Sequence, residues 1–184
     1  MRQWWVDPQY RALRALHEMN HAALNGDDLP KGDTCAGAGD LAAVLGCGWE
    51  FAEKTVWFEP LTDEPADWPN LAIRPEQLSD NEAFQTLLEM CRHVGELSEG
   101  RYLTGMPDLV ENFDIYSSLR DPQTALFDMY DQPEIVEQRL WEINEAFYVV
   151  FDALYEQIRD DIGGNIFSAF NLWGPGRTAK VQCD

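Results

Sequence analysis

Apolar side chains at Leu13, Leu16, Met19 and Ala23 step by three and four, predicting an amphipathic helix from Pro8, with Asp7 as its cap and Asn25-Gly26 as its end. "LPKGDTCAGAG" reads as a glycine-bearing loop, and "DLAAVLG" as a short helix capped by Asp40 and closed by Gly46. "TVWFEPL" reads as a strand broken by Pro60, followed by the irregular acidic connection "TDEPADWPNLAIRP". Phe84, Leu87, Leu88, Cys91 and Val94 share one face of a helix over Glu82 to Leu97, and "RYLTGMPD" is a strand finishing at Pro107-Asp108. The longest stripe is Val136, Leu140, Ile143, Phe147, Val150, Leu154 and Ile158, a core-packing helix that opens on Pro133 and stops at Gly163-Gly164. After it, "NIFSAF" is an apolar strand, Gly174-Pro175-Gly176 a turn, and the alternation of Ala179, Val181 and Cys183 a further strand reaching Asp184.

Strands alternating with helices predict an α/β fold, a mostly parallel sheet with helices outside, either doubly wound or a (β/α)8 TIM barrel. No G-x-G-x-x-G follows a strand and no G-x-x-x-x-G-K-S/T occurs, so the nucleotide-binding versions lose their support and the barrel is preferred. A whole barrel takes ~250 residues. The 184 residues are therefore expected to be an incomplete N-terminal portion, with 1–38 an N-terminal helix and loop and 39–184 the barrel elements. On a barrel, residues at strand ends face the catalytic mouth, which makes Asp108, Asp114 and Asp184 candidate substrate-binding residues. Asp114 has pairing with Arg120 as its competing role.

Composition narrows the partners. With 45% hydrophobic and 12% aromatic residues the chain packs a core. Thirty-three acids against 13 bases leave a net charge of −20, a field that repels nucleic acid and anionic membrane surfaces. No apolar run approaches the ~20 residues of a membrane span, and "MRQWWVDPQYR" lacks a signal-peptide core, so a cytoplasmic location is expected. Cys35, Cys47, Cys91 and Cys183 form no C-x-x-C pair and read as ordinary buried thiols. His17 and His21 are spaced for one helix face, a spacing that can ligate metal but is read as a helix surface or a hydrogen-bonded pair. Seven tryptophans, Trp173 among them, either pack core and lid or offer aromatic faces to a neutral or cationic small molecule.

Three stretches carry a family resemblance: "GDLAAVLGCGWEF", "GMPDLVENFDIYSSLRDPQTALFDMYDQPEIVEQRLWEI" and "WGPGRTAKVQCD". They resemble the uroporphyrinogen decarboxylase superfamily, (β/α)8 barrels that include the haem-pathway decarboxylase and methyltransferases exchanging methyl groups with corrinoid proteins. The resemblance implies that Asp40, matching an aspartate that holds pyrrole N–H groups, is catalytic. Likewise "MRQ" resembles a stretch whose arginines bind substrate carboxylates, with Arg2 as the match. A decarboxylase would need no cofactor. A corrinoid-dependent methyltransferase, the alternative, would need zinc and a corrinoid protein and would act on a methylated amine or a similar methyl donor. A third reading is a non-catalytic binding protein on the same barrel. A homodimer is a possible assembly in each case.

Overall fold

The structure, a computed structural model, describes residues 1–61 and 63–180. Among these residues the elements run α1 (Arg2–Val6), α2 (Pro8–His21), β1 (Lys31–Gly32), α3 (Asp40–Val44), β2 (Gly48–Phe51), β3 (Val56–Glu59), a 3-10 turn (Pro75–Asp80), α4 (Glu82–Ser98), β4 (Leu103–Met106), α5 (Asn112–Arg120), α6 (Pro122–Asp131), α7 (Pro133–Ile158), β5 (Gly164–Phe167) and β6 (Leu172–Pro175). None of these helices is long and apolar enough to cross a membrane.

Asp7 caps α2 as expected, accepting the Tyr10 amide N–H at 2.8 Å. The buried side of α2 is not the expected stripe. Arg11, Ala12 and Ala15 face inward while Leu13 is exposed. Two alanines let α2 lie close against α4, where Ala12 and Ala15 share a cluster with Val94 and Tyr102. The α4 and α7 stripes do form the core, with Phe84, Leu87, Cys91 and Val94 on α4 and Val136, Ile143, Val150, Leu154 and Ile158 on α7 buried. Each such aliphatic or aromatic side chain contributes about 1.5–3 kcal/mol by leaving water.

The main sheet among the described residues has the order β1-β4-β5-β6. β1 pairs parallel with β4, and β4 parallel with β5. Both connections carry helices, as parallel neighbours require. β6 departs from the expectation. It follows β5 after a four-residue loop and so returns antiparallel, Ile166 opposite Trp173 and Gly164 opposite Pro175. Gly174-Pro175 therefore lie in a strand rather than a turn, and the strand expected through Val181 and Cys183 falls largely outside the described residues. "VWFE" is a strand as predicted, but it pairs with β2 in a separate hairpin. β1 precedes residue 39, inside the segment expected to be only helix and loop. The result is a mixed α/β arrangement, and the described strands do not close into a barrel.

α6 is turned inside out relative to its hydropathy. Leu126, Phe127, Met129 and Tyr130 are between 51% and 89% exposed, while Ala125 and Asp128 are buried. What anchors the helix is polar. Asp128 accepts the Tyr116 hydroxyl at 2.9 Å and Arg120 Nε at 2.8 Å. Arg120 spends its other arm on Glu64 at 2.7 Å, so its ion pairs are with Asp128 and Glu64 instead of Asp114.

Candidate functional site

The loops leaving the carboxyl ends of β1 and β4 are fastened to each other. The Asp108 carbonyl accepts the amide N–H groups of Gly39 (3.0 Å) and Asp40 (3.2 Å), and the Leu109 carbonyl accepts that of Leu41 (3.3 Å). Asp40 and Asp108 thereby meet at one strand mouth, the end where parallel α/β sheets gather their chemistry.

Asp40 does not cap α3. Gly39 holds the cap position with φ 97, and no side chain caps that end. The Asp40 carboxylate instead turns back on the loop, where Ala36 donates its N–H to Oδ2 at 3.1 Å and Gly37 to Oδ1 at 3.0 Å. The side chain is fully buried. Burial pushes its carboxyl well above the ordinary 3.8, the two amides offset this only in part, and the charges of Asp108 and Asp33 push it further up. A carboxyl of this kind holds its proton where an exposed aspartate has lost it.

Asp33 ties the loop down. Its Oδ1 accepts the Ser168 hydroxyl at 3.0 Å and the Cys35 amide at 3.2 Å, and its Oδ2 pairs with Arg11 at 3.0 Å. Arg11, only 2% exposed, also donates to the Cys35 carbonyl at 2.8 Å. Thr34 donates its hydroxyl to the Gly105 carbonyl and Lys31 its ammonium to the Ser168 carbonyl, each at 2.5 Å. The ends of β1, β4 and β5 are thus joined by side chains. A Cβ at Gly105 would collide with Ser168, which is why the strand carries glycine there. The Cys35 thiol is pushed well above 9.0, by burial first and then by Asp40 and Asp33, and stays a neutral thiol at physiological pH.

Asp108 is buried, and its Oδ1 makes no hydrogen bond. Burial raises its carboxyl, Lys180 draws it down, and the charges of Asp114 and Asp33 raise it. Asp114, in the first turn of α5, therefore shares the same electrostatic cluster. The chain between them is strained: Val110 has φ 55 and Asn112 φ 53 on either side of buried Glu111. A β-branched residue in the left-handed region is an outlier of the kind that gathers at functional sites.

The structure brings Asp40, Asp108 and Asp114 together and leaves two other candidates apart. Arg2 stands over the Phe51 ring at 5.7 Å and pairs with Glu82 at 3.8 Å, on the side of α1 facing the hairpin and α4. Trp173 lays its indole on Gly164 and donates to Asp160 at 2.8 Å, at the amino end of β5. Asp184 and Cys183 lie outside the described residues. Sequence reasoning missed Arg11, Asp33, Ser168, Glu111 and Lys180. No sequence signal marked them, since the apolar stripe read for α2 put Arg11 on the side away from the core.

The tryptophans do not assemble an aromatic cage among the described residues. Trp68 is buried and donates to the Asp63 carbonyl at 3.0 Å, Trp5 donates to the Ala52 carbonyl at 2.8 Å, and Trp4 stacks under Arg14 at 4.1 Å. His17-Glu18-Met19-Asn20-His21 has the H-E-x-x-H spacing of zinc peptidases. Here it lies on an exposed face, Glu18 is engaged by Arg14 at 2.7 Å, and His21 Nδ1 sits 2.8 Å from the His17 carbonyl. No group of three His, Cys, Asp or Glu side chains is placed to hold a metal ion among the described residues. No protein-family model, curated protein or solved structure matches the chain.

Proposed function

We propose that the chain supplies the opening strands of a (β/α)8-type enzyme of the uroporphyrinogen decarboxylase superfamily, with Asp40 as its acid–base group. One observation supports this best: a fully buried, proton-holding Asp40 shares a strand mouth with Asp108. In a decarboxylation the bond to the leaving carboxylate breaks, carbon dioxide departs, and the electron pair left on carbon takes a proton. A protonated Asp40 is a suitable donor of that proton, and its conjugate base can accept the N–H of a pyrrole or amine. The reading goes with a cytoplasmic enzyme that takes a small-molecule substrate.

The charge at the mouth favours the methyl-transfer branch as a second reading. A substrate bearing many carboxylates wants arginine forks. Arg11 is committed to Asp33 and backbone carbonyls, while the carboxyl groups of Asp108 and Asp114 make the mouth acidic. A methylated amine suits such a mouth. A corrinoid partner would supply the methyl-carrying chemistry. The donor set among the described residues does not fit zinc.

The test is turnover by the full-length protein, following carbon dioxide release from porphyrinogens and methyl transfer from methylated amines to a corrinoid protein. Asp40→Asn should lower the rate on the accepted substrate at least about tenfold, roughly 1.4 kcal/mol of transition-state stabilisation. Tight binding with no turnover of either class leaves the non-catalytic binding protein as the answer.

A further inference from the structure

We infer that His17 and His21 form a two-imidazole chelate on the exposed face of α2, for a late divalent transition ion of the nickel(II) or copper(II) kind. It is independent of the strand mouth.

Side chains four residues apart on a helix lie one above the other on the same face. Both histidines are exposed, and their ring centroids stand 4.3 Å apart with the planes 38° from parallel. The tautomer of one ring is fixed. His21 Nδ1 lies 2.8 Å from the His17 backbone carbonyl, and because a carbonyl oxygen only accepts, that nitrogen carries the proton. The lone pair of the neutral His21 ring is therefore on Nε2, the nitrogen left for an ion. A backbone carbonyl on the other ring nitrogen is what a metal-bound histidine ordinarily has, since it orients the ring and raises its basicity. His17 brings its ring alongside from one turn earlier. The helix beneath is held, with Ala12 and Ala15 packed in a cluster with Val94 of α4 and Arg11 bonded to Asp33, so little ordering opposes chelation. Glu18 is taken by Arg14 at 2.7 Å, which leaves a chelate without the general base of a peptidase. Two imidazoles fall short of the protein ligands zinc takes, whereas a tetragonal ion completes its shell with water and accepts imidazole nitrogen, with affinity rising through nickel(II) to copper(II). The net charge of −20 draws cations of every kind, and the nitrogens do the selecting, since magnesium prefers oxygen.

The closing experiment is calorimetric titration of the untagged full-length protein with nickel(II) chloride at neutral pH and constant ionic strength, with magnesium chloride as the competing hard cation. Nickel should bind, and magnesium should not displace it. His17→Gln and His21→Gln should each weaken that binding about tenfold or more, because each leaves a single imidazole, while His93→Gln on α4 should leave it unchanged. Both positions are exposed, so the variants should keep the fold, which far-UV circular dichroism verifies. His21 is the last residue of α2, so nickel should also slow amide hydrogen exchange over residues 18–22 in the wild type and not in His21→Gln. Unaltered affinity in either His17→Gln or His21→Gln, equal weakening in His93→Gln, displacement by magnesium, or unchanged exchange over residues 18–22 overturns the chelate.

Discussion

Asp40 donates its amide N–H to the backbone carbonyl of Asp108 at 3.2 Å, so the two carboxylates are held at one mouth by main chain, not by each other. Either side chain can therefore be exchanged without parting the loops. Asp40→Asn retains one acceptor oxygen for the Ala36 or Gly37 amide and turns an NH2 toward the other. The expected cost is about 1–2 kcal/mol in urea unfolding. Asp40→Ala strands both amides and should cost more. Equal losses for the two variants would mean that the amides find other partners.

The same carboxyl gives stability a characteristic pH dependence. Its folded-state pKa is raised above 3.8, so its contribution is fully present below that value. As pH rises, the unfolded chain releases the proton first, and the contribution is lost as pH climbs through the folded pKa. Asp108 acts in the same direction. Stability of the wild type relative to Asp40→Asn should therefore fall as pH rises above about 4, the ordinary aspartate value, read from urea midpoints at each pH. A flat or rising difference would contradict the raised carboxyl.

Val110 offers a reversal of the usual ranking. Its side chain is buried at 8% exposure while its backbone sits at φ 55. Val110→Ala loses the burial and keeps a Cβ in the left-handed region, a conformation costing about 1–2 kcal/mol for a residue with a side chain. Val110→Gly loses the same burial and relieves that strain. Glycine should therefore be the more stable of the two by about 1 kcal/mol, checked by chemical denaturation.

Asp128 should be among the costlier single replacements. Removing its carboxylate by Asp128→Ala leaves Arg120 and the Tyr116 hydroxyl without their shared acceptor, and breaking a buried pair from one side costs about 3–5 kcal/mol. Tyr116→Phe removes one neutral donor and should cost nearer 1 kcal/mol. Thermal unfolding of both variants tests the order, and comparable losses would count against the network as the anchor of α6.

What could be read from the sequence follows from how locally each feature is determined. α4 and α7 were legible because long stripes repeat the helical period against one core. β1 was not, being two residues long with glycine as one of them, and it is a strand only because β4 lies beside it. β6 was masked by Gly174-Pro175, whose turn preference yields to pairing with β5. α6 misleads any reader of hydropathy, since an ionic anchor and not a greasy face decides which side is in. At the mouth, strand-end position and resemblance pointed to Asp108 and Asp40. Asp33, Arg11 and Ser168 were hidden because their roles depend on contacts between residues far apart in the chain.

The pairing of β1 with β4 also bears on the order in which the chain folds. β5 and β6 are neighbours in sequence and can pair as soon as they are made, whereas Lys31 must find Leu103 across the whole of α3, the hairpin and α4. Closing so long a loop for a two-residue ladder returns little until the helices have docked, so β1 should join late in refolding. The Arg11–Asp33 and Ser168–Asp33 bonds form only when it arrives. The mouth is therefore assembled by the last strand to dock, and amide hydrogens on residues 31–37 should exchange sooner than those of α7, through openings smaller than global unfolding.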